Sequence, residues 1–285
     1  MKRQTDLSVQ QALKMSIASG KGGVGKTLTT IHLAMSFARQ GQKTLVIDAD
    51  LGLSNVDVVL GLSIKHSIYD VLTSQVHMRD VIVSAFPGLD VIPSGSGFAR
   101  LAALNLAERI ELVEQLEEVS RGYNVIIIDT GAGIHPSVLH MNSIADELIV
   151  VTTPEPHAMT DAYAFIKVMS QEYSIKRANL VVNKVVSKEQ GLKVSQKMTE
   201  VSSRYLGLSL DTLGTVPIDE LIQRSVMTRG AAFHQTAHTV AGQAWNEIAL
   251  GMIDRCSSEG QQAGRRDWMD LVFSSNQLSA SGSVF

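Results

Sequence analysis

Ser19-Gly20-Lys21-Gly22-Gly23-Val24-Gly25-Lys26-Thr27 stands between an apolar run, Met15–Ala18, and a helix-forming stretch, Lys26–Arg39. Gly20 through Thr27 fits G-x-x-x-x-G-K-[ST], a loop whose glycines let successive backbone N–H groups turn toward phosphate oxygens at a helix N-terminus. In that reading Gly20, Lys21, Gly22, Gly23, Val24 and Gly25 form the cradle, Lys26 reaches the β- and γ-phosphates, and the Thr27 hydroxyl binds Mg²⁺. Gly20, Gly22 and Gly25 also satisfy G-x-G-x-x-G, and Asp48 falls about where a dinucleotide fold places its ribose-binding acid. A dinucleotide site has no use for Lys-Thr directly after the last glycine. Nor does it call for a second apolar strand ending in an acid, yet Val125-Ile-Ile-Ile-Asp129-Thr-Gly-Ala-Gly133 supplies one. An acid at such a strand end is where a phosphate-loop enzyme orders Mg²⁺ and its waters, so a nucleoside triphosphatase is the better reading.

Around this loop, short β-branched runs alternate with longer amphipathic stretches, the pattern of βαβ units. Expected strands are Met15–Ala18, Thr44–Ile47, Leu89–Ile92, Val125–Ile128, Leu148–Val151, Asn179–Val182 and Thr212–Val216. Their nearly continuous apolar character predicts a mostly parallel sheet sandwiched by helices. Helices are expected at Lys26–Arg39, Leu106–Val119, Thr160–Gln171, Glu189–Tyr205 and Ala237–Arg255, the second with Leu106, Ile110, Val113, Leu116 and Val119 facing inward.

The chain has 285 residues with 25 Lys+Arg against 28 Asp+Glu. Residues 1–175 hold 13 basic and 18 acidic side chains and residues 176–285 hold 12 and 10, so neither part shows a nucleic-acid footprint and no specific nucleic acid is expected. The single cysteine, Cys256, excludes an intrachain disulfide framework and fits a reducing, cytoplasmic setting. Apolar runs of about five residues fall far short of the ~20 a membrane span needs. His234 with His238, and His135 with His140, each lack a third ligand and are not read as metal sites.

Lys21 is a residue that a plain phosphate loop does not need. Lys21-Gly-Gly-Val-Gly-Lys26-Thr27 resembles the deviant Walker A of the MinD/ParA class of ATPases, whose fold is the SIMIBI/MinD-like α/β P-loop fold. The resemblance implies ATP and Mg²⁺ as cofactors, a homodimer that sandwiches ATP, and weak, dimer-dependent hydrolysis in which Lys21 touches the partner's phosphates. It assigns water orientation to Asp50, support of the Mg²⁺ shell to Asp48 and Asp129, contacts around adenine to Asn183, Pro217 and Asp219, and a place near the partner's nucleotide to Glu155. Within the class, Asp48–Leu62, Ile92–Gly97, Ile128–Ile134 and Thr160–Ala164 are similar to the FlhG (FleN) branch, which regulates flagellar number. Septum-placing MinD proteins share much of this pattern, and ParA-type DNA partitioning is a further alternative. The FlhG branch implies the SRP-type GTPase FlhF and a flagellar transcription regulator as partners. Gln10-Gln-Ala-Leu-Lys-Met-Ser16 keeps only Gln-Ala of the element through which such proteins stimulate FlhF.

The organisation expected is an N-terminal extension, 1–14, an ATPase domain, 15–256, and a flexible tail, 257–285. The class implies a C-terminal amphipathic helix that binds membrane in the ATP state. Its candidate here is 265–273, where Trp268, Met269, Leu271, Val272 and Phe273 share a broad face behind Arg265 and Arg266. Peripheral association with the inner face of the cell membrane follows from that helix.

Overall fold

A computed structural model describes residues 11–50, 56–73, 76–93, 105–228, 233–258 and 266–273. Its described strands form one sheet in the order β3-β4-β2-β5-β1-β6-β7-β8. These are β1 (Leu13–Ser19), β2 (Thr44–Ala49), β3 (Val83–Phe86), β4 (Leu89–Ile92), β5 (Val125–Ala132), β6 (Glu147–Thr152), β7 (Arg177–Val185) and β8 (Ser209–Pro217). Every pairing is parallel except that of β3 with β4. Each of the seven expected strands is present. The added one, β3, is a short half-buried edge strand turned back through Pro87-Gly88, and its weak apolar signal is why periodicity does not find it.

Helices cover both faces because the strand side chains alternate between them. Met15, Ile17, Val46 and Ile127 point into one layer with α1 (Lys26–Arg39) and α11 (Val240–Ser258). Leu45, Ile47, Ile126 and Ile128 point the other way, under α5 (Leu106–Ser120) and α6 (Pro136–Ser143). Along the other half of that face, Leu148, Val150, Leu180 and Val182 meet α7 (Pro156–Glu172) and α8 (Lys188–Leu206). The inward face of α5 is centred on Leu112, Val113 and Leu116, so Leu106 at its first turn stands exposed, against expectation. The expected helix from Ala237 begins at Val240, after the short α10 (Phe233–Thr236). The remaining described helices are α2 (Val56–Leu60), α3 (Ile68–Thr73), α4 (Met78–Val81), α9 (Glu220–Met227) and α12 (Asp270–Phe273).

The C-terminal segment departs from the amphipathic helix expected over 265–273. Only Asp270–Phe273 is helical, while Arg266–Met269 is not, and Arg265 lies outside the described residues. Trp268 is 4% exposed in the layer under α5, with Met269 and Leu271 packed against the same layer. Polar contacts hold the segment down. Lys14 Nζ donates to the Arg266 carbonyl, the Arg266 N–H donates to Asp146 Oδ1 at 2.7 Å, and His140 shares a hydrogen bond with the Leu271 carbonyl at 3.2 Å. Lys14 and Asp146, both nearly buried, pair at 3.8 Å, and Lys14 Nζ sits 5.7 Å from the Trp268 ring centre. An apolar face that finds protein on folding is buried by the same driving force that would take it into lipid. A cavity of 320 Å³ lies beside this segment, lined by Ala12, Lys14, Ser120, Arg121, Ile126 and Trp268.

Candidate nucleotide site

Parallel strands present their carboxyl ends along one edge, and the central ones set the site. The register pairs Asp129 of β5 with Ile17 of β1 on one side and with Asp48 of β2 on the other. The loop from Gly20 to Gly25 leaves β1 at this edge and becomes the N-terminus of α1. Ser19 Oγ donates to the Lys21 carbonyl at 2.7 Å, and the Gly133 N–H donates to the Ser19 carbonyl at 2.9 Å, joining the loop to the chain beyond β5.

Two of the loop glycines are required by their surroundings. Gly25, the N-cap of α1, has φ 97°, and a Cβ there would lie 2.4 Å from Asn183 Nδ2. At Gly20 a Cβ would lie 2.0 Å from the Asp161 carbonyl oxygen, because the backbone of α7 runs against the start of the loop. By contrast, a Cβ at Gly22 or Gly23 would meet nothing within 4 Å, so one side of the loop faces open space. The first turn of α1 carries no acidic residue, which leaves its positive end available to an anion.

Inside the loop, charge is concentrated. Lys26 is buried, which lowers its pKa, opposed by the nearby Asp129 and Asp50. Asp129 is fully buried and its pKa is pushed up to about 7, first by burial and then by the like charge of Asp48, against hydrogen bonds from Thr27 and Thr30 and the charge of Lys26. The Thr30 hydroxyl donates to Asp129 Oδ1 at 3.0 Å. Asp48 accepts from the backbone N–H groups of Asp50 at 3.1 Å and Val56 at 3.3 Å, so it also holds the first residue of α2. The side chain of Asp50 lies against Gly131, where a Cβ would be 3.4 Å from its Oδ1. Two buried acids and a hydroxyl offer oxygens that suit a hard divalent cation, completed by waters and phosphate oxygens, while the Lys26 ammonium suits the phosphates themselves. Among the described residues no group of three His, Cys, Asp or Glu is placed to hold a metal by itself.

The remaining expected site residues lie in the loop itself, after β6, on β7, and at or just after the end of β8. Lys21 pairs with Glu155 of the same chain at 3.8 Å, both side chains being well exposed. Asn183 Nδ2 donates to the Val24 carbonyl at 2.9 Å and its Oδ1 accepts from the Lys184 N–H at 2.9 Å, so much of the amide already serves the protein. Pro217 ends β8, and Asp219 Oδ1 accepts from Leu221 at 2.9 Å and Ile222 at 3.4 Å, fastening the first turn of α9. Sequence reasoning missed Lys184, whose Nζ donates to the Gly23 carbonyl at 2.7 Å. Its only signal is its place directly after an Asn at a strand end. Thr30 was missed as well, one turn beyond the loop.

A family model described as an AAA domain matches residues 12–182. The antiactivator FleN of Pseudomonas aeruginosa is 33% identical over 235 residues, 82% of this chain and 84% of that protein. The flagellum site-determining protein YlxH of Helicobacter pylori is 32% identical over 249 residues, 84% of each. The chain belongs to the MinD/ParA class of ATPases. Its fold is that of MinD: the septum site-determining protein from Pyrococcus horikoshii, complexed with Mg-ADP, superposes with a TM-score of 0.70 at 23% identity, covering 88% of this chain and all of that one. MinD/ParA proteins are P-loop ATPases. Among the described residues no helix is long and apolar enough to cross a membrane.

Proposed function

We propose that this MinD-like ATPase is a dimerising switch that regulates flagellar number and placement. The observation that carries the reading is the convergence of Lys26, Asp50 and Asp129 at the N-terminus of α1, with a second lysine, Lys21, at the rim. Gly20–Gly25 hold the phosphates of ATP, and Lys26 neutralises the β- and γ-phosphates. Mg²⁺, held through the Thr27 hydroxyl with Asp48 and Asp129 behind it, supplies charge neutralisation and alignment of the phosphate oxygens. Asp50 orients the attacking water. Asn183, Pro217 and Asp219 border the adenine.

Lys21 supplies positive charge to the partner's phosphates, which makes hydrolysis dependent on the dimer and weak without it. To do so it must leave Glu155. An exposed pair of this kind is worth at most about 1 kcal/mol, so phosphate readily replaces the carboxylate, and Glu155 is left near the partner's nucleotide. The names of FleN and YlxH support the flagellar branch, with FlhF and a transcription regulator as partners. Residues 15–256 act as the ATPase domain between an extension, 1–14, and the tail, 257–285. The protein works in the cytoplasm and reaches the inner face of the membrane through 265–273, which requires Trp268 to leave its buried site.

The test is ATP turnover against protein concentration. Lys21→Ala should bind ATP and lose the concentration-dependent rise in turnover; normal turnover in that variant would end the trans-lysine reading. Deleting the gene should give extra or misplaced flagella with normal division. Minicells with normal flagella would assign the switch to septum placement, and a salt-sensitive, ATP-stimulated shift of arbitrary DNA would assign it to partitioning.

A further inference from the structure

At the end of β7 the pairing with β8 slips. Val182 faces Thr215 and Val185 faces Pro217, so Asn183 and Lys184 stand opposite a single residue of β8. Such a bulge re-aims side chains, and here it turns two consecutive ones onto the phosphate loop. Lys184 has φ 56°, one of two left-handed non-glycine residues among those described, the other being Ser174. That conformation is unfavourable for a residue with a Cβ, so contacts must hold it in place. The contacts are on the loop: Asn183 to the Val24 carbonyl at 2.9 Å and Lys184 Nζ to the Gly23 carbonyl at 2.7 Å.

The consequence follows from peptide geometry. In a planar trans peptide, C=O and N–H point in opposite directions. Holding the Gly23 carbonyl toward β7 turns the Val24 N–H away from β7. Holding the Val24 carbonyl does the same for the Gly25 N–H. The two clamps therefore aim two successive N–H donors to the side away from β7, as a phosphate cradle needs.

We infer that Lys184 is a positioning residue of the phosphate-binding loop, which it pre-organises for the phosphate chain of a nucleotide by fixing the Gly23–Val24 peptide from outside. This rests on the reading of the loop as a nucleotide site. Because the clamp acts on the loop, it assists any ligand that carries the phosphate chain, with or without a base.

The experiment compares wild type with Lys184→Met, which keeps the stem and loses the donor, and Lys184→Arg, which keeps a donor. The probes are ADP and inorganic tripolyphosphate, each with Mg²⁺, measured by calorimetry or by competition against a fluorescent ADP analogue. Loss of one charge-assisted bond at an exposed site should weaken both probes about three- to tenfold in Lys184→Met, with substantial recovery in Lys184→Arg. Melting temperatures within a few degrees of wild type show that the change is not loss of fold. A variant that melts much lower is replaced by Lys184→Gly, which relieves the left-handed backbone while removing the donor and should show the same loss for both probes. Unchanged affinity in the donor-less variant would overturn the inference, as would a loss confined to ADP, which would mean contact with the base instead. Wild-type protein that bound neither probe would overturn the nucleotide reading itself, and this inference with it.

Discussion

Acidification should weaken the native state through His32, and the effect can be isolated by substitution. His32 lies on α1 behind the loop, fully buried, its ring parallel to Trp245 at 6.4 Å and tilted against Phe233 at 5.3 Å. Its Nε2 has no hydrogen-bond partner. Burial, helped by the charge of Arg39, takes its pKa down from 6.5 to about 3. The unfolded chain therefore takes a proton below pH 6.5 that the folded chain refuses until about pH 3, so stability falls across that window as pH falls. At pH 4.5 the unfolded histidine is favoured by two decades, a loss of about 3 kcal/mol relative to neutral pH. Asp129 acts in the opposite sense. Its folded pKa near 7 exceeds the ordinary 3.8, so its contribution is fully present below 3.8 and is lost as pH rises through 7. The two offset each other in the wild type, and the quantity to measure is a difference. Urea unfolding of nucleotide-free wild type and His32→Leu at pH 7.5, 6.5, 5.5 and 4.5 should show the wild type losing ground steadily below pH 6.5. Parallel midpoint curves would refute the reasoning, because His32 would then carry its proton inside the folded protein at little cost.

Other perturbations follow from contacts in the site and at its edges. Gly20→Ala puts a Cβ against the Asp161 carbonyl and must push α7 from the loop, lowering stability by about 1–3 kcal/mol and weakening nucleotide binding; a variant that melts and binds like wild type would mean that α7 yields freely. Arg255 binds Glu147 at 3.0 Å and the Asn179 side chain at 2.9 Å, anchoring the end of α11 to β6 and β7. Arg255→Leu should cost roughly 2–4 kcal/mol by stranding Glu147, and adding Glu147→Leu should recover much of it in a double-mutant cycle. Trp268→Ala should release the C-terminal segment, read as faster hydrogen exchange over 266–273; unchanged exchange would place the hold in the Lys14, Asp146 and His140 contacts instead.

Much of the architecture was legible because the signals are local. Strands such as Val125–Ile128 declare themselves through a few consecutive β-branched residues, and α1 was found with its observed bounds because it opens after the loop's last glycine. β3 was not found, since a half-exposed edge strand of four residues has little apolar pattern to read. In the C-terminal segment, Trp268, Met269 and Leu271 of the expected apolar face pack on the layer under α5, a destination that periodicity alone does not name. Periodicity says that Trp268 seeks burial and is silent on whether lipid or α5 provides it.

The same division runs through the site. The spacing from Gly20 to Thr27 can be read with no partner elsewhere in the chain, because the motif is contiguous in sequence. That spacing, together with the apolar strands that end at Asp48 and Asp129, is enough to point to the P-loop NTPase fold from sequence. The pairing of Lys21 with Glu155 and the raised pKa of Asp129 beside Asp48 depend on register between strands distant in sequence. The same holds for Lys184, which reaches Gly23 across 161 positions of chain. A residue's type and neighbours state what it can donate or carry; only the packed sheet, by setting which strand ends lie side by side, decides what it meets.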